Sequence, residues 1–115
     1  MNLELKPVDS TGNPYLALGA FIYAGIDGIR RSLSPGEPLL VDPAVLDSAE
    51  RERLSVVRLP ASLRAALDAL EGDSFLMSAL GPLRSTAYLA VKRSEAEHFR
   101  IHDVEHECRQ HWLKF

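Results

Sequence analysis

From Asn13 to Ile29 the chain is apolar on nearly every helical face, and Asp27 is the only charge in that run. Asn13 offers a side-chain oxygen to free backbone N–H groups, and Pro14 suits a first helical position, where no N–H is missed. The pattern predicts a helix over 13–31. Gly28 and the Arg30-Arg31 pair mark its end, where cations meet the helix dipole. A helix apolar all round expects cover on all sides. If the chain folds alone, that cover must come from helices predicted at 62–71, 82–99 and 103–115, or from another copy of the chain.

Elsewhere the pattern is more ordinary. Residues 3–8 alternate apolar and polar until Pro7 interrupts, predicting one short N-terminal strand with no partner in the chain. Residues 9–12 read as a turn into the Asn13 cap. The stretch 32–61 carries Pro35, Gly36, Pro38 and Pro43 and reads as a loop region. Within it, Asp42-Pro43 can start a brief helical turn, 47–54 a short exposed helix, and 56–60 an extended run. Ser62 then caps an amphipathic helix with Leu63, Ala66, Leu67 and Leu70 on one face and Gly72 at its stop. Asp73 caps a segment over 74–80 ended by Gly81. Pro82 opens a longer helix with Leu83, Ala87, Ala90 and Val91 as its apolar face. Lys92, Arg93, Glu95 and Glu97 form the other side, expected to be solvated. Asp103 caps a last helix to about Phe115. The expected fold is mainly α, a small bundle of about four to six helices with one short strand.

Composition narrows the class. The chain has 115 residues, 46% apolar and 25% charged, with a net charge of −3. That is enough for one soluble domain. Without a basic stripe or arm, nucleic acid is not an expected partner. The single cysteine, Cys108, excludes an internal disulfide and fits a reducing compartment. The N-terminus carries no signal-peptide h-region. Helix 13–29 falls short of the roughly 20 apolar residues of a membrane span and contains Asp27 and three glycines. No membrane association is expected, and a cytoplasmic location is.

Two groups of side chains invite chemistry. His98, His102 and His106 follow one another at four-residue intervals, with Cys108 and His111 nearby. On one continuous helix, histidines four apart can share a metal. Asp103, however, reads as a helix start, which puts His98 and His106 on different helices. Cys108 and His111 match no common zinc spacing, so surface and packing histidines are the favoured reading, and any metal they take is expected to be adventitious. Glu4 and Lys6 lie two apart on the predicted strand and therefore share a face. They are either a metal ligand beside an anion-binding group or an ordinary surface ion pair. Spacing alone favours the ion pair. The glycines form neither a P-loop nor a dinucleotide fingerprint.

Three runs then carry a resemblance to the glutamine synthetase family. They are Glu4-Leu5-Lys6-Pro7-Val8-Asp9, Asn13-Pro14-Tyr15-Leu16-Ala17-Leu18 and Ala24-Gly25-Ile26-Asp27-Gly28-Ile29. The family has a strand with Glu-x-Arg, an Asp-containing turn, Asn-Pro-Tyr-Leu and a buried helix ending in Ala-Gly-Leu-Asp-Gly-Ile. Further along, Leu59 to Leu67 resembles the family's Leu-Pro-x-Ser-Leu-x-x-Ala-Leu helix start. Tyr88 to Glu95 resembles its Tyr-x-x-x-Lys-Arg-x-Glu helix, and Val104 to Phe115 its aromatic C-terminal helix. The resemblance runs in order along essentially the whole chain. It is nearest to the bacterial-type branch, which includes ligases of amines other than ammonia.

What the resemblance implies is specific. Residues 1–115 would be the C-terminal portion of an α+β catalytic domain: strand and turn over 1–12, buried helix over 13–31, loop region over 32–61 and helical part over 62–115. Family members join ammonia or an amine to the side-chain carboxylate of glutamate, using ATP through γ-glutamyl phosphate. Glu4 matches a ligand of the family's Mg²⁺ or Mn²⁺ ions, for which hard oxygen donors are needed. Lys6 falls where the family usually has a substrate-contacting arginine; lysine keeps the charge and loses the bidentate fork. The remaining ligands and the nucleotide site would lie upstream of residue 1. The expectation is therefore a fragment inert by itself, with no bound cofactor and no catalytic residue of its own. Its partners would be the remainder of a synthetase chain or other subunits of a homo-oligomer. The alternative is a stand-alone helical module that self-associates or binds a full-length synthetase. His111, Trp112, Leu113 and Phe115 resemble the element with which bacterial-type rings dock.

Overall fold

The computed structural model describes residues 4–9 and 12–112. Among the described residues six helices follow one another: α1 (Pro14–Arg30), α2 (Ser48–Arg53), α3 (Leu63–Gly72), α4 (Ser74–Leu80), α5 (Pro82–Arg100) and α6 (Val104–His111). A 3-10 turn, Pro43–Val45, precedes α2. The described residues contain no strand, and the chain is mainly helical. The predicted strand begins at residue 3, outside the described residues. Its remainder bends at Lys6-Pro7 without entering a ladder, and a lone strand has nothing to hold it extended.

The helix starts follow the capping chemistry of the sequence. Asn13 Oδ1 accepts from the N–H groups of Tyr15 and Leu16 at 3.0 and 3.2 Å. Asp42, Asp47, Ser62, Asp73 and Asp103 cap the elements that follow them in the same way. Asp73 also closes α3, so α3 and α4 meet at one residue. Between α4 and α5 stands Gly81 with φ 76°, a backbone conformation that a Cβ penalises.

Two helix ends are built by serines where glycine is usual. Ser32 has φ 52°, its N–H donates to the Ile29 carbonyl at 3.0 Å, and Leu33 N–H reaches back to the Gly28 carbonyl at 2.9 Å. Ser55, with φ 54°, repeats the pattern at the end of α2. Both are Schellman closures. Gly28 thus contributes its carbonyl to the stop, and Ser32 makes the turn. A left-handed L-residue costs roughly 1–2 kcal/mol, part of which glycine returns as backbone entropy in the unfolded chain. Ser32→Gly is therefore expected to stabilise the chain by about 0.5–1 kcal/mol. A higher urea midpoint would show it, and a lower one would contradict it.

Packing centres on α5. Helices α3 and α4 lie against it and against each other, and α1 rests on α4. Leu67 of α3, Leu89 of α5 and Leu46 of the loop stretch form the buried apolar core. Ser85 of α5, also buried, donates its hydroxyl to the carbonyls of Gly81 and Pro82. The packed face of α5 is not the one its sequence pattern predicts. Leu83 and Val91 are exposed, whereas Lys92, Arg93 and Glu95 are half-buried. Arg93 reaches across to Asp68 and Glu71 of α3 at 2.9 and 2.6 Å, and these two carboxylates raise its pKa. The apolar face of α5 opens instead onto a shallow groove that it shares with Leu16 and Tyr15 at the start of α1.

Helix α1 departs from expectation in the same direction. It has no buried residue, and Tyr15, Leu18 and Ile29 are largely exposed. Its contact with the bundle runs chiefly through α4, where the Tyr23 and Phe75 rings stand 6.4 Å apart. The helices of this chain therefore do not cover it, contrary to the expectation for a chain folding alone. The surface area agrees. The chain exposes 10081 Å², against about 6,200 Å² for a compact monomer of its mass. Its radius of gyration is 16.8 Å, where about 13 Å is usual for this length.

Candidate functional site

Glu4 and Lys6 lie in the N-terminal run, ahead of the cap that starts α1. Lys6 Nζ stands 3.2 Å from Glu4 Oε1, and both side chains are mostly exposed, at 80% and 66%. The bend at Lys6-Pro7 brings them together without a strand. An ion pair this open contributes little to stability. Mg²⁺ takes six ligands in near-octahedral geometry, largely carboxylate, phosphate and water oxygens. Among the described residues Glu4 belongs to no cluster of three or more potential ligands. Glu4 thus offers a carboxylate with a cation beside it and, among the described residues, no grouped potential ligands around it.

Across the molecule, the histidines behave differently from the sequence argument. Asp103 does start a new helix, so His98 lies on α5 and His106 on α6. The corner at 101–103 nevertheless leaves one ring nitrogen each of His98, His102 and His106 within 4.8 Å of the others. Their four-residue spacing was visible in the sequence. The corner that preserves their proximity across a helix break was not.

His111 stays out of this trio, its ring against Phe99 with centroids 5.1 Å apart. Cys108 is exposed on the face of α6 that also carries Glu105, Arg109 and Trp112. Beside His98, Glu97 accepts from Arg100 at 2.8 Å. The guanidinium lowers the Glu97 pKa and the carboxylate raises that of Arg100. That pair is complete above the ordinary carboxylate range and is lost as the pH falls through the depressed Glu97 value. No described helix is long and apolar enough to cross a membrane.

Comparison with known proteins gives the two ends of the chain a common frame. Residues 1–111 match the glutamine synthetase catalytic domain family. A gamma-glutamylpolyamine synthetase, GlnA3, of Streptomyces coelicolor is 45% identical over 95 residues, covering 83% of this chain and 20% of that protein. The glutamine synthetase of Archaeoglobus fulgidus is 39% identical over 83% of this chain and 19% of its own length. That of Sulfolobus acidocaldarius is 36% identical over 110 residues, 95% of this chain and 23% of its own. The chain thus spans about a fifth of the length of these relatives. The chain belongs to the glutamine synthetase catalytic-domain family.

Proposed function

We propose that this chain is the C-terminal portion of the catalytic domain of a glutamine synthetase-type ligase, which contributes Glu4 and Lys6 to an active site completed by upstream sequence. The parent reaction is ATP-dependent amide formation at the side-chain carboxylate of glutamate, with ammonia or a larger amine as acceptor. The carboxylate is activated as γ-glutamyl phosphate, and the amine displaces phosphate. The observation that carries this reading is the fully helical but uncovered α1, which follows directly on the Glu4–Lys6 segment.

In this reading α1 is a buried helix of a larger domain and fixes the position of the Glu4 segment. Glu4 supplies one carboxylate oxygen to a Mg²⁺ or Mn²⁺ ion. Bound there, such an ion would neutralise charge on the phosphates. Lys6 holds an anionic group of the substrate as a point charge, without the planar fork of an arginine. That freedom suits a branch whose acceptor or substrate differs from those of standard synthetases, and the polyamine ligase among the relatives is consistent with it.

By itself the purified chain is expected to show no γ-glutamyl transfer and no ATP hydrolysis with Mg²⁺ or Mn²⁺. Clear metal-dependent turnover would overturn the reading. The excess apolar surface also favours a second reading, a helical module that associates with itself or with a complete synthetase. Size-exclusion chromatography separates the two. A discrete, stable oligomer of the chain alone supports the module, and concentration-dependent, ill-defined association supports the excised domain.

A further inference from the structure

We propose that His98, His102 and His106 form a binding site for one late first-row divalent ion of the Zn²⁺ type, which pins the corner between α5 and α6. The three imidazoles come from the end of α5, the connecting corner and the first turn of α6, and one nitrogen of each lies within 4.8 Å of the others.

His98 Nε2 and His106 Nε2 stand 3.4 Å apart. That is long for a hydrogen bond. It is close to the edge of about 3.3 Å that two nitrogens span when each lies about 2.05 Å from a tetrahedral ion.

The third ring is oriented by the backbone. His102 Nδ1 lies 2.6 Å from the His98 carbonyl oxygen. A carbonyl only accepts, so Nδ1 carries the proton and Nε2 is the nitrogen left to bind a metal. An imidazole held through one nitrogen while the other binds metal is the usual outer-shell arrangement of histidine ligands. His102 also stacks on His106, with centroids 4.1 Å apart and planes 17° from parallel. The Asp103 cap fixes the His106 backbone through a 2.8 Å hydrogen bond. With all three nitrogens within 4.8 Å of one another, no separation must close by more than about 1.5 Å on binding. The rings are exposed or half-buried, which leaves room for side-chain adjustments of this size.

The donor set decides the class of ion. Three imidazoles suit Zn²⁺, Ni²⁺ or Cu²⁺ and disfavour Mg²⁺, which prefers carboxylate and water oxygens. This site is therefore separate in chemistry from the Glu4 position, and it stands whether or not the synthetase reading holds. Its effect is structural: ligands from α5, the corner and α6 together fix the angle at which α6 leaves α5.

The test is calorimetric titration of the metal-stripped 115-residue chain with ZnCl₂ in the presence of millimolar MgCl₂. One ion per chain is expected at micromolar affinity or tighter. His102→Ala and His106→Ala should each weaken binding at least tenfold. Cys108→Ser and His111→Ala should leave it within twofold. Far-UV circular dichroism of each variant checks that the helices persist, and in the unmodified chain the imidazole proton resonances of these three histidines alone should shift with Zn²⁺. Absence of binding at 100 μM Zn²⁺ overturns the proposal. So does binding unaltered in His102→Ala, competition by Mg²⁺, or one ion shared between two chains.

Discussion

Replacing Leu67 with alanine is expected to cost about 2–5 kcal/mol and to unfold most of the isolated chain at room temperature. Leu67 is 2% exposed, the most deeply buried of the three core leucines. It sits on α3 where that helix meets α5. Small domains hold only about 5–15 kcal/mol in total, and this one exposes far more surface than a compact chain. The control is Leu83→Ala, the same chemical change at a position 83% exposed. That variant is expected to stay within about 0.5 kcal/mol of the parent. Urea titration followed by circular dichroism reads both. Equal losses at the two positions would mean that the core is not where the structure places it.

The second large effect concerns Glu4. In a complete synthetase carrying residues 1–115 of this chain, Glu4→Gln is expected to lower kcat/KM by more than about 100-fold. Removing a direct ligand should exceed the 10–100-fold cost typical of outer-shell changes. Glutamine keeps the shape and removes the charge, so the loss should be partly relieved by raising the Mg²⁺ or Mn²⁺ concentration. Retained activity would leave Glu4 as no more than the exposed partner of Lys6. The same substitution in the isolated chain should leave the urea midpoint unchanged, because the Glu4–Lys6 pair is open to solvent.

The local chemistry of the helices was legible from the residues. Asn13-Pro14, Asp47, Ser62, Asp73 and Asp103 announce helix starts, and each cap accepts the backbone N–H expected of it. What could not be read was which apolar surfaces find partners within the chain. Leu83, Ala87, Ala90 and Val91 form a proper helical stripe, yet the bundle packs on the side of α5 that carries Arg93. Periodicity reports that a face wants cover, and it is silent on who provides it. The same holds for α1, whose apolarity was plain and whose cover this chain does not supply. Helices α1 and α2 stop where expected, at Arg31 and Leu54, but the turn-makers Ser32 and Ser55 were not marked, because serine rarely adopts a positive φ. The histidine trio was obscured by its own helix break. A corner between two helices can bring residues eight apart together, and no linear spacing rule anticipates that.

The segment is proposed to complete a synthetase and to work only within one. The most direct measurement replaces the matching segment of the Streptomyces coelicolor gamma-glutamylpolyamine synthetase, 45% identical to this chain, with residues 1–115 and assays ATP-dependent glutamylation of ammonia and of polyamines. Metal-dependent turnover within about tenfold of the parent enzyme, for at least one acceptor, is the predicted result. A chimera that folds and assembles like the parent but forms no γ-glutamyl product would contradict it.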